Sequence, residues 1–152
     1  MYRNANDAYL ESRVFSADPV ELIRMLYQGA LDAVREARRC LAAGEIAARS
    51  RSITKAWEIL MELTGALDRE RGGEISGRLA QLYEYLQRRL LDANLQQSDA
   101  PLAEAEGLLT TLLEAWSGVR PEAEEQAGTA NPWAQMAPQE AGAAQAVHGW
   151  SL

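Results

Sequence analysis

Apolar residues recur every three or four positions along most of the first 118 residues, which is the spacing of one face of an α-helix. The pattern predicts four helices, over about 19–42, 46–67, 74–95 and 101–117. No segment shows the alternation of apolar and polar residues that a half-buried strand would need. Connections of a few residues favour antiparallel neighbours. We therefore predict an all-α protein, an antiparallel up-down four-helix bundle over residues 16–118.

Residues suited to helix ends flank these segments. Asp18 can cap the first helix, Pro19 suits its first turn, and Glu21 stands where the acid of a capping box belongs. Gly44 is expected to end that helix. The pair Gly72-Gly73 is expected to end the second helix, because glycine adopts positive φ without steric cost. The third helix is expected to begin directly after this pair, at about Glu74.

The N-terminal segment, residues 1–15, lacks a helical pattern but carries apolar side chains, among them Tyr9 and Leu10. A flexible segment is usually poorer in such residues. Two interpretations stay open. The segment is either a frayed terminus or an arm that docks its tyrosines on an apolar groove.

The C-terminal segment, residues 119–152, is rich in Ala, Gln, Glu, Gly and Pro and has no apolar line. This composition predicts a disordered tail. Trp133, Met136 and Trp150 are unusual in such a tail. They either occur there by chance or form a short recognition element.

Net charge and composition exclude several kinds of partner. The formal charge is −7, which disfavours nucleic acid and anionic membrane surfaces. No apolar run is long enough to span a bilayer, and the polar N-terminus has no signal-peptide core. Cys40 is the single cysteine, so it can form neither an intrachain disulfide nor a multi-thiolate metal site. We expect a cytoplasmic protein without membrane insertion.

The residues that enzymes use are sparse. A di-iron carboxylate bundle needs Glu-x-x-His pairs on inward faces, and the single histidine, His148, lies in the tail. Glu58 and Glu62 lie one turn apart, but without a histidine a solvated helix face is the simpler interpretation. No glycine-rich phosphate loop, nucleophile–base pair or zinc spacing occurs in the bundle. We expect no catalytic residues, no metal and no cofactor, and interpret the chain as a binding module.

Three blocks of sequence resemble the flagellar secretion chaperone family FliS over about residues 1–118. They are Ala8-Tyr9, then Ser16-Ala17-Asp18-Pro19 with Leu22-Ile23-Arg24-Met25-Leu26-Tyr27-Gln28-Gly29-Ala30, and Gly72-Gly73-Glu74-Ile75 with Leu79, Leu82-Tyr83-Glu84-Tyr85 and Ala93-Asn94. Gln28, where the family usually has an acid, and Arg78, where it often has Asn, depart from the pattern.

The resemblance implies an antiparallel four-helix bundle that binds the disordered C-terminal segment of flagellin in the cytoplasm. Such a chaperone keeps flagellin from polymerising early and assists its delivery to the gate of the flagellar type III export apparatus. The resemblance also implies that the N-terminal arm covers part of the empty groove. The alternative is a helical-bundle adaptor or regulatory protein that acts by forming a homodimer.

We place the flagellin groove on the helix faces and the arm that carry the resembling blocks. Tyrosines suit such a surface, because they combine an apolar ring with a polar tip. The alternative is that the helical residues belong to the ordinary core. The predicted contact residues are Tyr9, Leu10, Leu26, Tyr27, Leu79, Leu82, Tyr83 and Leu86.

Overall fold

The structure of the protein, a computed structural model, describes residues 18–119. These residues form four helices and no strand. The helices are α1 (Pro19–Ala43), α2 (Ile46–Gly65), α3 (Arg69–Gln96) and α4 (Asp99–Ser117). The predicted all-α four-helix bundle is confirmed. The N-terminal arm and all but the first residue of the predicted tail lie outside the described residues.

The first helix begins and ends as its sequence predicts. The side chain of Asp18 accepts a hydrogen bond from the backbone N–H of Glu21 at 2.8 Å, and Pro19 occupies the first turn. Gly44 has φ of 76°, and its N–H donates to carbonyls at the end of α1. A left-handed glycine at this position satisfies carbonyls that the helix leaves without partners.

The corner between α2 and α3 differs from the prediction. α2 ends at Gly65, before the glycine pair, and Asp68 caps a new turn by accepting from the N–H of Arg71 at 2.9 Å. Gly73 then interrupts α3 with φ of 55° and ψ of −131°, a conformation open to glycine and strained for other residues. The glycine pair therefore marks a kink near the start of α3, and not the end of α2 as predicted. The carbonyl of Asp68 holds this corner by accepting from the Ser76 hydroxyl at 2.9 Å.

Helices that follow each other in sequence pack side by side, and α1 also packs on α4. The bundle is thus a ring in which α1 lies diagonal to α3 and α2 lies diagonal to α4. Its centre is apolar, as the 3.6-residue periodicity requires. Val119, the first residue of the predicted tail, is buried against the bundle, and its carbonyl accepts a hydrogen bond from Arg24. Packing therefore extends at least to residue 119.

An ion-pair network on the surface joins α1 to α4. Arg38 binds both oxygens of Asp99, at 2.8 and 2.7 Å, and also binds Glu106 at 2.8 Å. Arg35 adds a second bond to Glu106 at 3.0 Å. The hydrogen bonds from Arg38 lower the pKa of both carboxyl groups. A carboxyl whose pKa is lower in the folded state stabilises the fold above its unfolded pKa, and this contribution is lost as pH falls.

We therefore expect Arg38→Met to lower the free energy of unfolding at pH 7 by about 0.5–1 kcal/mol, since half-exposed pairs are partly screened. The difference from the parent protein should shrink as pH falls from about 5 to about 3, where the carboxylates become protonated. Urea unfolding at several pH values measures both effects. Arg51→Met, on the exposed face of α2, is the control. A difference that persists unchanged at low pH would contradict the ion-pair explanation.

Candidate functional site

The predicted contact residues Tyr27, Leu79, Tyr83 and Leu86 lie in the core. Tyr27, Tyr83 and Leu86 have no exposed surface, and Leu79 is 5% exposed. The hydroxyl oxygens of Tyr27 and Tyr83 are 2.5 Å apart, so α1 and α3 are joined by a buried hydrogen bond. The ring of Trp116 on α4 packs 6.3 Å from that of Tyr27. These aromatic residues stabilise the bundle from inside.

Burial keeps both tyrosines neutral. It raises the pKa of Tyr27 to about 12, although hydrogen bonds from Tyr83 and Trp116 lower it in part. Burial, followed by the neighbouring Tyr27, raises the pKa of Tyr83 well above its usual range. Removing a phenolate charge from water is unfavourable in this apolar surrounding. The pair therefore forms a buried hydrogen bond between two neutral hydroxyl groups.

Of the remaining predicted residues, Leu26 and Leu82 lie on different sides of the bundle. Leu26 and Leu82 are both half-buried against the core. Leu26 lies one turn before Gly29, which faces Ile59 of α2, so it belongs to the α1–α2 side. Leu82 shares a face with Tyr85, whose hydroxyl donates to Glu104 of α4. Tyr9 and Leu10 lie outside the described residues. The contact of these residues with a partner stays a prediction.

The exposed apolar surface lies elsewhere on the bundle. Four large apolar side chains of the described part are exposed: Ile46 (59%), Met61 (52%), Leu91 (50%) and Leu95 (80%). Ile46 and Met61 belong to α2, and Leu91 and Leu95 are one turn apart on α3. A cluster of exposed apolar residues indicates an interaction surface, whereas single exposed apolar residues are common on any protein.

From the register between α2 and α3, we infer that these four side chains lie along one seam. Asn94 accepts hydrogen bonds from Arg49 at 3.1 Å and from Ser50 at 3.2 Å, which pairs the start of α2 with the end of α3. Further along, Gln87 donates to the carbonyl of Trp57 at 3.2 Å. Helical spacing from these contacts places the exposed residues on the outer side of the seam. We call this surface the α2–α3 groove; it is lined by Ile46, Trp57, Met61, Leu91 and Leu95.

A depression of about 410 Å³ continues the α2–α3 groove towards the glycine corner. Gly77 forms part of its wall, and a Cβ atom at this position would meet no atom within 4 Å. The space beside Gly77 is therefore open. The lining residues are Thr64, Arg69, Gly77, Ala80, Gln81, Glu84 and Gln87. The groove thus combines an apolar end with a polar, open end.

Within residues 18–119, no three side chains of His, Cys, Asp or Glu come together as metal ligands would. No helix in the same range is both long and apolar enough to cross a membrane. An apolar groove between helices, such as the α2–α3 groove, can accommodate a polypeptide as an added amphipathic helix.

Comparison with known proteins agrees with this architecture. The family model described as "Flagellar protein FliS" matches residues 1–123. The chain belongs to the FliS family. A flagellar secretion chaperone FliS of Salmonella typhimurium is 44% identical over 115 residues, covering 75% of this chain and 85% of the relative.

Two more distant relatives have similar coverage. A flagellar secretion chaperone FliSB of Pseudomonas aeruginosa is 38% identical over 110 residues, covering 72% of this chain and 87% of the relative. A flagellar secretion chaperone FliS of Bacillus subtilis is 34% identical over 114 residues, covering 75% and 84%. The resemblance predicted from three sequence blocks is confirmed. These relatives carry the names of flagellar secretion chaperones.

Proposed function

We propose that the protein is a cytoplasmic flagellar export chaperone. It binds the disordered C-terminal segment of flagellin, prevents premature polymerisation and assists delivery to the type III export gate. Membership of the FliS family and the names of the relatives support this role. The structural observation that carries it is the exposure of four large apolar side chains on α2 and α3, two helices that hydrogen bonds hold side by side.

The dimensions of the groove suit a helical segment. Ile46 and Met61 are separated by four turns of α2, or about 22 Å at 1.5 Å per residue. An amphipathic helix of about 15 residues would cover this length. Its apolar face would remove Ile46, Leu91 and Leu95 from water, while its polar face would stay solvated. The same apolar face would be unavailable for contacts between flagellin subunits.

Folding of the segment on the chaperone would also permit its release. Ordering a disordered segment costs free energy, which keeps affinity moderate for the area that is buried. We propose that Tyr9 and Leu10 of the arm add contacts, and that Leu26 and Leu82 line neighbouring seams. Tyr27, Leu79, Tyr83 and Leu86 would then act indirectly, by fixing the helices beneath the binding surface.

Calorimetric titration with a synthetic peptide of the flagellin C-terminal segment tests this function. We expect saturable binding, an increase in peptide helicity and a matching delay in flagellin polymerisation followed by light scattering. An unrelated amphipathic peptide of equal length and charge is the control. Absence of binding would contradict the proposal. If the chain instead self-associates through the α2–α3 groove in sedimentation experiments and ignores the peptide, the dimeric adaptor is the better explanation.

The open depression beside Gly77 provides a further prediction. Gly77→Leu should weaken binding of the flagellin peptide about tenfold, because the new side chain would occupy space that the ligand needs. Gly107→Leu is a matched control, since a Cβ there also meets no atom within 4 Å, but the position lies on α4. Both substitutions should preserve or raise the melting temperature, because leucine favours helices more than glycine does. Equal binding by the two variants would exclude the depression from the site.

A further inference from the structure

Among residues 18–119, Arg49 is the one charged residue that is buried. Its side chain is on α2, one turn after Ile46, and the residue is 5% exposed. Its Nε donates to Oδ1 of Asn94 at 3.1 Å, and the hydroxyl of Ser50 donates to the same oxygen at 3.2 Å. No carboxylate within residues 18–119 forms an ion pair with it. A buried cation is thus held by a neutral amide.

Two other arginines that link helices bind carboxylates, whereas Arg49 binds an amide. Arg38 joins two carboxylates and Arg89 joins Glu104, although both arginines are considerably more exposed. Burial of a charge is costly unless a partner and hydrogen bonds compensate for the lost water. The guanidinium has five N–H donors, and Asn94 accepts from one of them. Arg49 therefore has donors available for a carboxylate.

The end of α3 compensates Arg49 in part for the absence of an acid. Asn94 lies in the last turns of α3, where the helix dipole gives the carbonyl end a partial negative charge. This charge favours a nearby cation. It is weaker and less directional than a carboxylate, which can accept two parallel hydrogen bonds from a guanidinium. A carboxylate would therefore bind the Arg49 guanidinium more strongly than the Asn94 amide alone does.

The guanidinium lies at the apolar end of the α2–α3 groove. Ile46 precedes Arg49 by one turn, and Asn94 is flanked on α3 by Leu91 and Leu95. A segment whose apolar side chains cover these residues would pass over the seam in which Arg49 and Asn94 meet. An acidic residue of that segment would then come within reach of the unused donors.

We propose that Arg49 binds an Asp or Glu side chain of the segment that occupies the α2–α3 groove. The inference rests on the proposed function and adds to it a preference for particular ligand sequences. The groove would prefer amphipathic segments in which an acid stands beside apolar residues. This preference would hold although the chain as a whole carries a charge of −7, because the contact is local and partly shielded from salt.

The test combines variants of both partners in calorimetric titrations. Arg49→Met keeps most of the length and apolar stem of the side chain but removes its charge. We expect it to weaken binding of the flagellin C-terminal peptide about tenfold or more, the usual range for a charge-assisted hydrogen bond. One Asp→Asn or Glu→Gln change in the peptide should cause a similar loss with the parent protein and little additional loss with Arg49→Met. Arg51→Met, on the exposed face of the same helix, should bind like the parent.

The possible outcomes separate this inference from the proposed function. If the parent protein binds the peptide, but neither Arg49→Met nor any acid-to-amide change weakens binding, the proposed function stands and the role of Arg49 is wrong. Losses that simply add, without coupling between protein and peptide, also contradict a direct contact. If Arg49→Met fails to fold, the acid-to-amide changes in the peptide, measured with the parent protein, test the contact by themselves. A peptide that does not bind the parent protein overturns both proposals.

Discussion

Tyr83→Ala is expected to lower the free energy of unfolding by about 3–5 kcal/mol, the usual cost of removing a large buried aromatic side chain. Tyr83 has no exposed surface, and its ring lies 6.3 Å from that of Tyr27. Its loss would leave a cavity between α1 and α3 and deprive the Tyr27 hydroxyl of its hydrogen bond with Tyr83. Urea unfolding followed by circular dichroism measures the change.

Two further variants separate packing from hydrogen bonding. Tyr83→Phe retains the ring and should cost about 1–2 kcal/mol, since it removes the partner of a buried hydroxyl. Tyr85→Ala changes a half-buried tyrosine two residues away, which bonds Glu104 at the surface, and should cost less than Tyr83→Ala. If Tyr83→Ala unfolds like the parent protein while peptide binding falls, Tyr83 contacts the partner directly, as its sequence pattern suggested.

The sequence predicted the four helices because their signals are local. The cap at Asp18 and the left-handed Gly44 depend on residues within one turn, so they are identifiable without tertiary information. The glycine corner was harder to predict. A glycine that takes positive φ can end a helix or kink one, and the choice here depends on Asp68, which caps a new turn five residues before Gly73.

The exposed apolar residues of α2 and α3 are not among the contact residues predicted from the sequence. The tyrosines of the resembling blocks suggested a surface, but Tyr27 and Tyr83 satisfy each other's hydroxyl groups and so can be buried. In the sequence, the exposed surface is marked by apolar residues that lie outside the apolar face of each helix, such as Met61, Leu91 and Leu95. Their positions mark exposed faces on two separate helices. That these faces meet follows only from the register between α2 and α3.

Changing Leu91 and Leu95 together to glutamine should weaken binding of the flagellin peptide about 30-fold or more. Both residues are at least half exposed, so the substitutions should leave the free energy of unfolding nearly unchanged. Glutamine favours helices almost as much as leucine does, and it adds no charge near the end of α3. The expected loss therefore comes from apolar contacts with the ligand, of the size found for central interface residues.

The matched control changes the same two leucines to methionine. Glutamine and methionine have similar length and flexibility, but methionine keeps the surface apolar. If the α2–α3 groove binds the flagellin segment, the methionine variant should bind within a few-fold of the parent while the glutamine variant does not. Thr111→Gln, at an exposed position on α4, should have no effect. Equal affinity of the glutamine and methionine variants would place the flagellin site on another face, and the seams beside Leu26 and Leu82 would then be the next surfaces to test.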